Sequence, residues 1–205
     1  MKKQILLTLG LITLLASATQ ASQEQLATSI KDARDEANRA TEQLKATLGA
    51  LTTLTQQKEG DLRPAFTAFS EEIPKTEAAA AWTRTRAQWM SGDGMKYFES
   101  WQKSIDGISN LSLKKKGQKR LDAAKQGYAK VESALRSAGD KFQPFLSDLT
   151  DIQKILSSDL TAAGIKNVKS TVSNANWRYK SVNAVFKDAL KEMEKMEKAL
   201  SPEAK

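Results

Sequence analysis

The sequence predicts an all-α protein, an elongated antiparallel four-helix bundle with coiled-coil-like heptad packing. First, apolar or small residues recur at alternating steps of three and four in four long runs, a spacing typical of packed helices. Second, short segments that carry helix-ending and helix-capping residues separate these runs. Third, no run alternates as a β-strand does. Because short connections join the long runs, successive helices are expected to be antiparallel.

The four predicted helices cover residues 23–58, 62–108, 111–157 and 161–200. Between the first two, Gly60 suits a helix end, Asp61 an N-cap and Pro64 the first turn of the next helix.

The later connections also contain cap residues. Asn110 or Ser112 suits the start of the third helix, and Asp159 or Thr161 suits the start of the fourth. Each offers a side-chain oxygen to the free N–H groups of a first turn. The order of the four helices is therefore predicted from local chemistry as well as from periodicity.

Two features inside the runs test this prediction. The segment Ser91–Met95, "SGDGM", contains two glycines, each costing a helix about 1 kcal/mol relative to alanine. The apolar register continues from Met90 to Trp101, so the second helix is predicted to pass through. Pro74 and Pro144 also lie inside periodic runs, and each is predicted to kink its helix.

The first residues resemble a cleaved secretory signal. Lys2 and Lys3 precede an apolar run, Ile5–Leu15, that is too short to span a bilayer. Small residues follow, and cleavage after Ala21 or after Ala18 fits equally well.

A signal peptide over 1–21 would leave a single long helical-bundle domain over 22–205. No later segment of the sequence is long and apolar enough to cross a membrane. The chain is therefore predicted to be exported, to the periplasm, with no transmembrane span in its mature form.

Composition excludes several kinds of chemistry. The chain has no cysteine and no histidine, so it lacks thiolate nucleophiles, imidazole bases and the usual zinc and haem ligands. No phosphate-binding loop or nucleophile elbow is present. Paired carboxylates fit solvated helix faces: Asp35 and Glu36, Glu71 and Glu72, and Asp148 and Asp151. We expect no enzymatic activity, no cofactor and no metal site.

The segment Leu113–Leu121, "LKKKGQKRL", is the candidate binding site. It holds five cations: Lys114, Lys115, Lys116, Lys119 and Arg120. They fall in the first turns of the third helix, where the helix dipole disfavours positive charge. An anionic partner such as lipid headgroups, lipopolysaccharide phosphates or an acidic protein would account for them.

The alternative is that the cations form an ordinary solvated flank. The helical register predicts that Leu113 and Leu121 are buried, which leaves the lysines facing water. Carboxylates near the chain's end would then balance the charge across the surface: Glu192, Glu194 and Glu197.

Four tryptophans offer a second kind of candidate site. Trp101 lies on the apolar seam and is predicted to be in the core. Trp82, Trp89 and Trp177 lie off the seam, and packing at helix flanks is favoured for them. Lining a groove or contacting a partner are the alternatives.

Three segments carry a resemblance to a known family: Tyr97–Asn110 ("YFESWQKSIDGISN"), Phe142–Leu156 ("FQPFLSDLTDIQKIL") and Asp159–Ile165 ("DLTAAGI"). The chain resembles, over nearly its whole mature length, an uncharacterised bacterial envelope family, domain of unknown function twenty-nine fifty-nine. The resemblance implies a signal sequence and long helices, and it supplies no activity or catalytic residues. Many relatives carry a cysteine after the signal. This chain has none, so their membrane anchoring is not implied here.

The sequence thus predicts an exported, non-enzymatic helical structural, scaffold or interaction protein. The alternative is a binder of anionic lipid or lipopolysaccharide surfaces that uses the basic cluster and amphipathic helices. The net charge of +8 permits such attraction without requiring it. A protein partner or self-association through the helical faces is expected in the first case. Nucleic acid is not expected, because no aromatic residues interleave with the cations to stack bases.

Overall fold

The computed structural model describes the backbone of residues 2–201 and the side chains of residues 19–201. Within these limits the chain is all-α, as predicted, and no strand is present. The helices are α1 (Lys2–Gln56), α2 (Arg63–Asp106), α3 (Leu111–Ser158), α4 (Ala162–Asn167) and α5 (Lys169–Leu200). The predicted signal peptide, residues 1–21, lies mostly outside the described side chains. In the described part of the chain, no helix has the length and apolarity that a bilayer span requires.

The predicted cap residues occupy the helix boundaries. Gly60 has a φ of 90° in the connection after α1, a conformation that a side chain would disfavour. Asp61 Oδ1 accepts a hydrogen bond from the backbone N–H of Arg63 at 2.9 Å. Asn110 caps α3 and Thr161 caps α4, where Thr161 Oγ1 accepts the N–H of Gly164 at 3.1 Å. Local capping chemistry therefore sets where these helices begin.

The helix predicted over 161–200 is divided in two. α4 ends at Asn167, and Val168 forms a turn before α5 begins at Lys169. The Val168 N–H bonds to the carbonyl of Gly164 at 3.2 Å, and its side chain is fully buried. This one-residue break is a correction to the single predicted helix.

The chain forms two compact units. The first unit comprises Met1–Arg34, Arg86–Ser133 and Lys191–Lys205, and the second comprises Asp35–Thr85 and Ala134–Leu190. α1, α2, α3 and α5 each contribute a segment to both units. That residues 22–205 fold as a single domain stays a prediction.

The second unit has a continuous apolar core. Its largest fully buried side chains are Phe69, Phe145, Leu44, Leu51, Leu54, Leu149, Ile152 and Leu156. Two polar pairs accompany this core. Thr47 and Thr76 share a hydrogen bond of 2.6 Å, and Arg178 Nε lies 2.7 Å from Asp148 Oδ2. The hydrogen bond satisfies the two buried threonine hydroxyls, whereas Asp148 and Arg178 attract each other as an ion pair.

The first unit is organised around Tyr128 of α3. Its ring meets Phe98 of α2 edge-on at 5.3 Å, and its hydroxyl donates to the carbonyl of Met90 at 2.7 Å. The ring lies against Gly94, where a Cβ atom would stand 2.5 Å from the nearest ring atom. Gly94 has a low helix propensity, but its missing side chain leaves the space that the Tyr128 ring occupies. α2 does continue through "SGDGM", as predicted.

Asp93 is a buried carboxylate beside this contact. It accepts hydrogen bonds from Ser29 Oγ, from Gln25 Nε2 at 3.3 Å and from Lys96 Nζ at 3.4 Å. Burial alone would raise its pKa, but these hydrogen bonds and the charge of Lys96 outweigh burial and lower it. Asp93 therefore stays ionised and ties α1 to α2 in the first unit.

Replacing Gly94 by alanine should destabilise the protein. The new methyl group would overlap the Tyr128 ring, which its own hydrogen bond to Met90 holds in place. We expect the free energy of unfolding to fall by about 1–3 kcal/mol in urea denaturation, despite alanine's better helix propensity. Gly127→Ala is the matched control, because a Cβ there meets no atom within 4 Å. The free energy of unfolding of Gly127→Ala should rise by roughly 0.5–1 kcal/mol. Equal stability of the two variants would contradict this account.

The contribution of Asp93 should depend on pH. Its pKa is lowered in the folded state, so its stabilisation is complete above the unfolded pKa and is lost as pH falls through the folded value. Asp93→Asn should cost about 1–3 kcal/mol of unfolding free energy at pH 7, and the deficit should shrink below about pH 4. Asp188→Asn, at an exposed position, serves as the control. A deficit that is constant between pH 7 and pH 3 would exclude the proposed role.

Candidate functional site

The start of α3 presents two exposed leucines. Asn110 Oδ1 accepts the N–H groups of Ser112 at 3.0 Å and Leu113 at 3.1 Å, which fixes the first turn. In that turn Leu111 is 82% exposed and Leu113 is 55% exposed. The prediction that Leu113 continues the buried seam is wrong, because α2 ends at Asp106 and offers it no facing residue.

The seam begins one turn later. Gly117 lies against Ile105, where a Cβ atom would stand 3.2 Å from Ile105 Cγ1. Leu121 is fully buried, as predicted.

The five predicted cations lie on this turn and the next two. Lys114 is the most enclosed of them, and its Nζ donates to the backbone carbonyl of Asp106 at 3.2 Å and lies 3.9 Å from the Asp106 carboxylate. Four are exposed and form no ion pair with any described residue: Lys115, Lys116, Lys119 and Arg120. We call the two leucines and the five cations the α3 tip.

The carboxylates predicted to balance these cations have other partners. Each forms an ion pair elsewhere: Glu192 with Lys195, Glu194 with Lys198, and Glu197 with Arg34. Four of the five cations face water, as the solvated-flank interpretation predicts, but these three carboxylates pair with other cations. That the tip contacts an anionic partner stays a prediction.

A cleft of about 490 Å³ lies in the first unit. α2 contributes the aromatic side chains of Tyr97 and Trp101, whose ring centroids are 5.6 Å apart. α3 contributes small residues, and α5 contributes apolar side chains near its end: Ala123, Ala124 and Gly127, and Met196, Ala199 and Leu200. Arg120 of the α3 tip, Lys130, Lys195 and Glu192 supply its charges. Burial raises the pKa of Tyr97, against the opposing charge of Arg120, so its hydroxyl stays protonated.

The sequence did not predict this cleft, although it contained a signal. Residues 123, 124 and 127 are small and share one face of α3, where a helix with larger side chains would fill the space. Trp101, predicted to be in the core, is only partly buried and lines the cleft. Its exposure depends on these neighbours, which periodicity alone does not reveal.

The other three tryptophans are on the surface. Trp82, Trp89 and Trp177 are each more than half exposed, so less than half of each side chain is covered by its surroundings. The guanidinium of Arg86 lies 4.8 Å from the centre of the Trp89 ring and also pairs with Asp32 at 3.2 Å.

Several carboxylates weighed as catalytic candidates are held by basic or amide groups. Glu72 accepts from Lys75 at 2.7 Å and from Gln43 at 2.6 Å, which lower its pKa. Asp148 pairs with Arg178.

The comparisons with known proteins add a family. No curated protein and no solved structure matches the chain significantly. The family model described as "Protein of unknown function (DUF2959)" matches residues 16–200. This result confirms the resemblance noted from the sequence. Because the match covers most of its length, the chain belongs to the DUF2959 family.

Proposed function

We propose that the protein is a non-enzymatic helical interaction protein of the bacterial envelope that docks on anionic lipid surfaces through the α3 tip. One observation carries this proposal. Leu111 and Leu113 are exposed in the helical turn that begins a run of five cations, four of which have no carboxylate partner among the described residues.

Both features are unfavourable for the free protein. Lys114, in the first turn, opposes the helix dipole by about 0.3–1 kcal/mol, and Lys115 and Lys119, four residues apart, repel each other. The exposed leucines keep apolar surface in water. An anionic interface removes both costs, since the leucines can enter the acyl boundary while the cations remain among the phosphates. Such attraction is worth about 1 kcal/mol per Lys or Arg near the surface.

The leucines favour lipid over other anionic partners. Nucleic acid offers phosphates but no apolar layer that would accept two aliphatic side chains. Lipopolysaccharide combines phosphates with acyl chains, as phospholipid does. The remaining alternatives are an acidic protein partner and a second copy of this chain, as in a scaffold. The vesicle experiment below distinguishes them from lipid.

The envelope location and the non-enzymatic role rest on the sequence. The signal-like residues 1–21 support export, and anionic lipid is then accessible. The absence of cysteine and histidine from the sequence supports a binding role rather than a catalytic one.

We also infer that the long helices of each unit are arranged as an antiparallel bundle. In the first unit, three contacts join α2 to α3, and the residue numbers on α3 decrease as those on α2 increase. The pairs are Ser91 with Glu132, Gln102 with Gln118, and Asp106 with Lys114. In the second unit, Phe145 meets Tyr179 and Asp148 meets Arg178. The buried face formed by Leu149, Ile152 and Leu156 supports coiled-coil-like packing.

Cross-linking tests the antiparallel order of α2 and α3, and the cysteine-free chain suits it. Gln102→Cys with Gln118→Cys should cross-link within one chain through a short bismaleimide, because the two native side chains share a 3.0 Å hydrogen bond. Gln102→Cys with Lys130→Cys should not, because position 130 lies about 18 Å further along α3. Gel mobility under denaturing conditions reports the product. A reversed preference would exclude the antiparallel order.

Vesicle co-sedimentation tests the docking. The protein, purified after any N-terminal processing in the cell, should bind anionic vesicles at low salt and be released at high salt. Five Gln substitutions at Lys114, Lys115, Lys116, Lys119 and Arg120 should weaken binding by more than about a hundredfold. Leu111→Ser with Leu113→Ser should weaken binding without changing the charge.

The matched control removes five exposed lysines from the second unit by substitution with Gln: Lys141, Lys166, Lys169, Lys180 and Lys187. It has the same net charge as the tip variant and should keep most of the binding. An equal loss of vesicle binding in both variants would show that binding depends only on net charge and not on the α3 tip. An absence of binding at low salt would overturn the docking proposal and favour the scaffold, to be sought by sedimentation equilibrium.

A further inference from the structure

We propose that the cleft of the first unit binds one anionic amphiphile, an acyl chain that ends in a carboxylate or phosphate. This site differs from the α3 tip in its walls and its enclosure, and the proposal does not require docking on a membrane. Only Arg120 belongs to both.

The cleft has the dimensions of a ligand site and a mixed lining, in which Thr19, Gln23 and Ser201 add polar groups to the apolar side chains. Its volume of about 490 Å³ falls within the range of small-molecule pockets. Tyr97 and Trp101 form an aromatic wall, and Met196 and Leu200 add flexible apolar contacts. The Tyr97 and Trp101 rings lie side by side on α2, 5.6 Å apart, and together form one apolar side of the cleft.

Small residues keep this space open. Ala123, Ala124 and Gly127 lie along the α3 side, and a Cβ atom at Gly127 would meet nothing within 4 Å. At Gly94, in the same unit, the Tyr128 ring occupies the space that a side chain would need. The contrast shows that Gly127 borders unoccupied volume rather than a packed neighbour.

The charges of the cleft favour an anion. Glu192 is neutralised by Lys195, whose Nζ lies 2.5 Å from its carboxylate and lowers its pKa, with a further contribution from Lys130. Arg120 and Lys130 form no ion pair with any described residue. Two cations beside apolar side chains complement a chain with a negatively charged end.

Trp101 provides the readout. Trp82→Phe, Trp89→Phe and Trp177→Phe remove the exposed tryptophans and leave Trp101 as the single emitter. Decanoate, added below its micelle concentration to the protein as purified, should change the emission saturably. Decanol, which has the same chain without the charge, should bind at least about tenfold more weakly. Decyl phosphate provides the second anionic arm. Tighter decanoate binding indicates a fatty acid as the source, and tighter decyl phosphate binding indicates a phospholipid product.

Substitutions in the cleft locate the binding. Gly127→Leu should fill the cleft and abolish decanoate binding, whereas Gly139→Leu, at an exposed and open position of the same helix, should leave it unchanged. Lys130→Gln should weaken decanoate binding about tenfold. Circular dichroism and thermal melting establish that each variant is folded.

Two outcomes would overturn the proposal. One is decanoate binding that survives Gly127→Leu in a folded protein, and the other is equal affinity for decanoate and decanol. A further variant separates this site from the α3 tip. Lys115→Gln with Lys116→Gln, outside the cleft, should weaken vesicle binding and leave decanoate binding intact.

Discussion

The packing of Tyr128 against Gly94 sets the register on which the first unit depends. The ring fits only because residue 94 lacks a side chain, and its hydroxyl is fixed to the Met90 carbonyl. Once these residues face each other, Gly117 must meet Ile105 and Lys114 must meet the end of α2. A substitution that shifts this register would therefore move the binding surfaces as well as reduce stability.

The same register explains why the α3 tip is exposed. α2 ends at Asp106, so the first turn of α3 extends past it, with Leu111 and Leu113 in water. The cap on Asn110 keeps that turn helical in spite of its cations. The tip thus combines exposed apolar surface and positive charge on a firmly started helix, which suits an interface more than it suits a free surface.

Small residues have opposite roles at two places in the first unit. At Gly94 the missing side chain permits close packing, and at Gly127 it leaves an open cleft. Arg120 lies at the junction of two proposed sites, since it belongs to the α3 tip and lines the cleft. A ligand in the cleft would place its anionic end near cations that also face an anionic surface.

The sequence by itself determined the features that depend on near neighbours along the chain. These include the all-α class, the connection that contains Gly60 and Asp61, and the cap on Asn110, because capping and periodicity are local. It also predicted the continuity of α2 through its glycines. The break at Val168 escaped it, because the buried Val168 fits the helical period and neither glycine nor proline stands at the turn.

Tertiary structure decided what the apolar and charged side chains face. Periodicity marks Leu113 as a seam residue, yet burial requires a facing helix, and α2 has ended there. The predicted helix order places Glu192 at the same end as the α3 cations, but Glu192 pairs with Lys195, three residues further along the same helix. The cleft likewise exists only where small residues of α3 oppose Trp101. The exposure of Leu113 and the cleft depend on distances between segments far apart in sequence, which no local pattern encodes.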